Sequence, residues 1–339
     1  MDNTNVLLLT SDHEYVRHVR AHMAKHHSDL KLQHIASPTE LPYALVAFSA
    51  NALIIGMEFA AAPLSIPDSL AVAYFADNNS VHEHKGRPVF CKYRNADALY
   101  NFMTGVSGKP LKCPRISAFF GAGGGTGSTT VSAAYARKLA SEKKNVLYIS
   151  LDRYADLLVW FGCKGTVLTE LAKQNASGAA IMSAAGTDPS TGVRFIGCCT
   201  EPSEYRMMNP AAFKAALAAI MAASAADEAV LDGDAADPLY REFFDSYADT
   251  LYVVTQDDPC NLSKLKRTLE ELERDSRKPL KNIKGTAKQR TAIIVNRCSA
   301  DSSTPENVNA AGALPVFGGN NAGEIALAMS KLDALKARS

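Results

Sequence analysis

Residues 121–130 read Gly121-Ala122-Gly123-Gly124-Gly125-Thr126-Gly127-Ser128-Thr129-Thr130, with five glycines in the first seven positions. An apolar run, Ile116–Phe120, precedes them, and an Ala-rich helical stretch, Thr129–Ser141, follows. Strand, glycine-rich turn and helix in this order let backbone N–H groups turn inward around an anion, and the helix adds its N-terminal dipole. The hydroxyl of Thr129, just past the turn, is placed to ligate Mg²⁺ on the β and γ phosphates of a nucleotide. A tight turn without a ligand uses the same residue types and is the plainer alternative.

The same alternation of short apolar runs and helical patterns continues in both directions. Before the loop, strands are expected at Asn5–Thr10, Leu30–Ala36, Ala52–Met57, Leu70–Ala76 and Pro88–Lys92. Helices are expected at His13–His26, Thr39–Ser49 and Ala96–Gly105. After the loop, strand candidates are Asn145–Ser150, Arg194–Cys198, Ala229–Leu231, Thr250–Thr255 and Thr291–Val295, with helices at Pro210–Ala226, Cys260–Ser276 and Ala322–Ala337. This pattern predicts an α/β protein of two doubly wound domains. The Gly- and Pro-containing stretch around 106–114 is the expected linker, between a first domain at 1–105 and a second at 115–339.

The common phosphate loop reads G-x-x-x-x-G-K-[ST], and here Ala122 takes its first glycine and Ser128 its lysine. The order Gly-Gly-Thr-Gly-Ser-Thr-Thr resembles instead the K-G-G-x-G-K-T-T loop of the deviant-Walker ATPases of the ParA and MinD type. Their signature lysine, which reaches across an ATP-sandwiched dimer, is replaced by Gly123. The resemblance implies a P-loop NTPase domain with a mostly parallel sheet, ATP and Mg²⁺ as cofactors, and a homodimer. It assigns nucleotide contacts to Gly123, Gly124, Gly125, Thr126, Gly127, Ser128, Thr129 and Thr130. The strand ending at Asp152 matches the family's I-D-x-D strand, which makes Asp152 the residue near a hydrolytic water, with Ser150 in the place of the first aspartate. Glu228–Asp232 resembles the Walker B strand and puts Asp232 with Thr129 on the metal, Asp234 being a rival. Ala248–Thr255 resembles the next strand of the family, and Thr291–Arg297 the one after, which places Asn296 and Arg297 at the base. As plain alternatives, Asp152 and Asp232 are helix caps or turn formers and Asn296 a turn residue. A charge-assisted hydrogen bond is worth about 1.5–3 kcal/mol. Without both lysines, nucleotide binding is therefore expected, with at most slow hydrolysis, since cationic clamps matter most to transferring phosphoryl groups. Arg115, Lys138, Arg153 and Arg297 are the candidate stand-ins.

The first domain resembles the response-regulator receiver fold, which is flavodoxin-like, and Lys92 closes a strand where receivers carry a lysine. The acidic pair after the first strand is reduced to Ser11-Asp12-His13, and the phosphoacceptor position after the third is Gly56. A receiver-like interaction or dimerisation module that cannot be phosphorylated is therefore expected. A degenerate receiver followed by a lysine-poor ParA/MinD-type domain is similar to the TadZ/CpaE family, which implies polar localisation of Flp/Tad pilus machinery and partners among other proteins of a secretion or pilus machine. A DNA-partitioning ATPase and a scaffold that binds no nucleotide stay open. The missing lysines argue against a metabolic P-loop enzyme.

With 339 residues, 47% of them hydrophobic and 21% charged, the chain suits a globular protein of two domains. A net charge of +1 excludes a polycation, although 264–290 carries ten Lys/Arg against four Asp/Glu. That stripe could contact DNA, but it lacks interleaved aromatics, so a solvated helix and a basic loop are preferred. No apolar run reaches the roughly 18 residues of a membrane span. Met1–Thr10 has no basic region ahead of its apolar run and reads as a first strand, so a cytoplasmic location is expected, with a cell pole or the inner membrane face reached through partners. The final helix, Gly323–Ser339, lacks Phe and Trp and is expected to close the fold, not to insert in a membrane. The seven cysteines are expected as reduced thiols, most of them in the core. His18, His22 and His26 could hold a metal, but with no carboxylate or cysteine at matching spacing a polar helix face is preferred.

Overall fold

Strands such as Val146–Ser150 and Glu228–Asp232 are buried at every position. A strand can hide both faces only in the middle of a sheet covered on each side by helices, as crossover connections require. A computed structural model describes residues 4–78, 80–108, 113–154, 156–170, 183–224, 226–234, 237–274, 285–298, 310–318 and 321–331. The chain divides into two compact units, the first built on Met1–Cys113 and the second on most of the chain from Pro114 onward.

In the first unit, β1 (Thr4–Leu9), β2 (Leu30–Ile35), β3 (Ala52–Gly56), β4 (Ala71–Ala76), β5 (Glu83–His84) and β6 (Arg87–Cys91) form one sheet, with α1 (His13–His26), α2 (Leu41–Ala47) and α3 (Ala96–Val106) between or after them. The strand order is β2-β1-β3-β4-β6-β5, parallel throughout except for the β5–β6 pair. This is the doubly wound order in which ligands gather where the strand order reverses, between β1 and β3. Six strands stand where five are expected, because the two-residue β5 is too short to show a period. Asp12 caps α1 by accepting from the Tyr15 amide, and Asn95 caps α3 by accepting from Ala98. The core collects Val6, Leu8, Val16, Met23, Ile54, Phe75 and Phe90.

The second unit holds an eight-stranded sheet of order β14-β13-β12-β7-β11-β8-β10-β9. Its strands are β7 (Arg115–Gly121), β8 (Val146–Ser150), β9 (Gly186–Thr187), β10 (Arg194–Ile196), β11 (Glu228–Asp232), β12 (Thr250–Gln256), β13 (Thr291–Cys298) and β14 (Ala310–Pro315). All pairs are parallel except β9–β10. The helices are α4 (Ser128–Ser141), α5 (Leu157–Phe161), α6 (Pro202–Met207), α7 (Pro210–Ala223), α8 (Pro238–Tyr247), α9 (Pro259–Arg274) and α10 (Ala322–Met329). Phe119 stacks on Tyr252 with ring centroids 4.5 Å apart, and Phe161 on Phe195 at 4.6 Å. Each such fully buried ring contributes about 1.5–3 kcal/mol relative to exposure.

Several expectations change. The strands β9 and β14 and the helices α5, α6 and α8 have no counterpart in the sequence reading. Among the cysteines only Cys198 and Cys298 are buried, Cys260 is exposed and the others are half-buried, so most are not core residues. All seven are free thiols, as their spacing suggests. The predicted ends of α9 and α10, part of the 106–114 linker and the centre of the basic stripe lie outside the described residues. Among the described residues, no helix is long and apolar enough to cross a membrane.

Candidate functional site

The loop leaves the C-terminal end of β7, a central strand between β12 and β11, where parallel sheets bind their ligands. Gly125 and Gly127 have φ of +75° and +86°, a left-handed backbone that residues with a β-carbon adopt at a cost. Neighbouring strands fix the turn. The Ala122 amide donates to Val254 O at 2.8 Å, Thr126 Oγ1 to Gly123 O at 3.2 Å, Gln256 Nε2 to Gly125 O at 3.0 Å and Asn296 Nδ2 to Thr126 O at 2.8 Å. Three loop carbonyls are thereby tied to protein donors. Across a trans peptide the next N–H points the opposite way, so the amides of Gly124, Thr126 and Gly127 turn to the other side of the loop. Among the described residues, no acceptor takes any amide from Gly123 to Gly127. The first turn of α4 follows directly, with the left-handed Gly127 as its cap. Unpaired amides converging at a helix start make an anion cradle.

Asn296 is buried, and both ends of its amide are spent within the protein, since Oδ1 also accepts from the Arg297 N–H at 2.9 Å. It braces the loop, and a base contact would compete with those bonds. Arg297 is exposed, with φ of +58°.

Asp232 ends β11 beside the loop, with Oδ1 accepting from Ser128 Oγ at 3.3 Å. Among the described residues, its Oδ2 is buried with no hydrogen-bond partner. Burial pushes its pKa up to about 7; the hydroxyl of Thr129 pulls the other way, and the charge of Asp152 adds to the rise. Asp152 itself, half-buried, accepts from the Tyr154 amide at 2.9 Å. An uncompensated carboxylate with a free oxygen, next to two loop hydroxyls, suits a hard divalent cation, which takes oxygen ligands. Ser150 Oγ, in the other acidic position of the ParA/MinD-type motif that this strand resembles, is buried without a partner among the described residues.

None of the four proposed stand-ins is the cation at the loop. Arg115 begins β7 and Lys138 sits in the last turn of α4, each at the end of its element away from the turn. Arg153 lies over the rings of Tyr154 and Tyr205, and Arg297 is exposed. A cation that does lie against the loop is Lys264 of α9. A β-carbon on Gly123 would meet Lys264 Cδ at 2.9 Å, its Nζ at 3.1 Å and Asn261 Oδ1 at 2.8 Å. Among the described residues, no hydrogen bond or ion pair engages that ammonium. Nothing in its surroundings along the chain marks it, since Lys264 reads as one more lysine of a basic helix.

In the first unit, Lys92 is buried at the end of β6, with Asp77 at 3.1 Å and Asp12 at 3.6 Å. Burial opposes its charge, but the hydrogen bond to Asp77 and the surrounding carboxylates outweigh it and raise its pKa. Glu58 folds back to accept from Thr10 Oγ1 at 2.6 Å and the Ser11 amide at 3.0 Å. Any side chain at Gly56 would run into the Glu58 carboxylate.

A family model described as anion-transporting ATPase matches residues 116–183. Among solved structures, the chain is similar to a ParA family ATPase from Chlorobium tepidum, at 20% identity over 55% of this chain and 75% of that one, with a TM-score of 0.46. It is similar to a MinC:MinD cell division complex from Aquifex aeolicus, at 15% identity over 63% and 86%, with a TM-score of 0.48. A putative plasmid partition protein from Borrelia burgdorferi bound to AMPPNP shares 15% identity over 66% and 94%, with a TM-score of 0.49. No curated protein sequence matches the chain. The family-model match takes in β7, the loop, α4 and β8, and it supports reading that stretch as part of an ATPase of the P-loop kind.

Proposed function

We propose that the second unit binds ATP with Mg²⁺ and uses occupancy, not rapid turnover, to set its dimeric state and recruit partners. The observation that carries this reading is the loop, three of whose carbonyls are tied back while five successive amides have no acceptor among the described residues. The amides of Gly123 to Gly127 and the start of α4, with Ser128 and Thr130, cradle the phosphates. Thr129 and Asp232 hold Mg²⁺, which when bound neutralises phosphate charge and orients the terminal group. Asp152 is assigned to orient a water, as the resemblance implies, but the loop itself brings no lysine, so hydrolysis is slow or absent. Asn296 and Arg297 close the base side, Asn296 chiefly by holding the turn in shape.

The first unit is read as a receiver-like interaction module that takes no phosphoryl group, because Gly56 has no nucleophile and Glu58 fills its space. Together these features favour a localisation or scaffold protein of the TadZ/CpaE type serving Flp/Tad pilus assembly, in the cytoplasm or at a cell pole. Calorimetric titration with ATP, ADP and a non-hydrolysable analogue, with and without Mg²⁺, tests the core of the reading. Mg-dependent binding of one nucleotide per chain is expected, and silence with all three leaves only a scaffold. Light scattering with Mg-ATP should show the mass of two chains, and a mass of one chain would remove the dimer.

A further inference from the structure

The histidines of α1 do not work as the ladder of i,i+4 neighbours that their spacing suggests. His22 and His27, at the end of the helix, turn to Asp97 in the first turn of α3. His27 Nε2 lies 3.1 Å and His22 Nε2 3.5 Å from Asp97 Oδ1, and the three ligand atoms all lie within 4.8 Å of one another. From these residues we infer a zinc-binding site in the first unit, formed by His22, His27 and Asp97.

Three observations carry it. Zinc bonds of 2.0–2.1 Å in a tetrahedral shell put neighbouring ligand atoms about 3.3 Å apart, and the two imidazole–carboxylate spacings fall on either side of that value. Among the described residues, His22 Nε2 is shut off from solvent without a well-formed hydrogen bond, its 3.5 Å contact with Asp97 Oδ1 being a loose one that a cation between the two would replace. The ring of His27 is held in place by stacking on Tyr100, with centroids 3.8 Å apart and planes 11° apart. Tyr100 is in turn fixed by its hydroxyl, which donates to Asp29 Oδ2 at 2.7 Å. Orientation of a ligating imidazole by outer partners is what metal sites require. Two imidazoles and one carboxylate suit Zn²⁺, with the fourth position left to water or to His26, whose ring centroid is 4.6 Å from that of His22. The sequence concealed the site because its carboxylate is supplied from 70 residues away.

The test uses the tag-free full chain stripped of metal, titrated with zinc chloride by calorimetry. One zinc per chain and a raised Tm are expected. His22→Gln and Asp97→Asn should each weaken binding by roughly tenfold or more, while His18→Gln, on the same helix, leaves it unchanged. Cobalt chloride on the wild-type chain should give visible absorption of the tetrahedral kind, which needs no variant to fold. Absence of zinc binding, or binding of equal strength in His22→Gln and Asp97→Asn chains that keep a native circular-dichroism spectrum, overturns the site; the second result would point to thiols elsewhere. Should both variants unfold, a cobalt spectrum with thiolate charge-transfer bands, or none at all, would overturn it equally.

Discussion

Lys264 lies against Gly123, so close that a β-carbon on the glycine would meet its Cδ at 2.9 Å. The glycine that stands where ParA- and MinD-type loops carry their signature lysine therefore makes room for a different lysine, delivered by α9. An exposed charge-assisted contact is worth less than a buried one. Lys264→Ala should accordingly weaken Mg-ATP binding by roughly threefold to tenfold. Gly123→Ala should displace the Lys264 side chain and weaken binding similarly, and the double variant should be little worse than either single one. Additive losses in calorimetry would separate the two residues.

Asn296 and Gly127 form a second close pair. A β-carbon on Gly127 would lie 2.5 Å from Asn296 Nδ2, and the glycine has φ of +86°. Asn296→Ala should leave Thr126 O without its donor at a cost of about 1–3 kcal/mol, and Gly127→Ala should add backbone strain of about 1–3 kcal/mol. Both should lower the Tm of the nucleotide-free protein and weaken nucleotide binding. An Asn296→Ala protein that melts like the parent would show that the brace contributes nothing.

Asp232 makes stability depend on pH in a direction opposite to that of a salt-bridged carboxylate. Its pKa is raised from 3.8 to about 7, so the folded chain binds this proton more tightly than the unfolded one. The stabilising contribution is complete below the ordinary value and is lost as the pH rises through about 7. Asp232→Asn should therefore raise the Tm at pH 8 much more than at pH 4, in the absence of Mg²⁺ and nucleotide. Mg²⁺-dependent nucleotide binding should strengthen from pH 6 to pH 8 in the parent and vanish in the variant. Melting curves at the two extremes that shift equally would refute this.

Acetyl phosphate should leave the first unit unlabelled. Gly56→Asp alone should not create an acceptor, because Glu58 accepts from Thr10 and Ser11 where that side chain would go. Incorporation of phosphate at residue 56 in the single variant, read by mass spectrometry, would contradict this account of the site.

Much of the fold can be read from the chain, because long buried strands and Ala-rich helices announce themselves through period and propensity. The two-residue strands β5 and β9 are below the length at which a period exists, and β14, Ala-Ala-Gly-Ala-Leu-Pro, has hardly any side-chain contrast to show. The loop was legible because its chemistry is local. What supports it was not: Gln256 and Lys264 come from other elements with nothing in their own neighbourhoods to mark them, and the end of its strand marks Asn296 as a base contact, not as the brace of the loop. Leu157–Phe161 shows no period of its own for a related reason, since Phe161 is explained by rings from other elements, its stack on Phe195 and its edge contact with Tyr148.

The donors that hold the loop carbonyls of Gly125 and Thr126 lie 131 and 170 residues further along the chain. During synthesis, the glycines leave the ribosome long before Gln256 and Asn296 exist to shape them. The cradle is thus a late product of folding, and the proposed affinity for nucleotide would report that the chain has been made at least through β13. A nascent or truncated protein ending short of Asn296 would carry the whole motif and still lack the pocket.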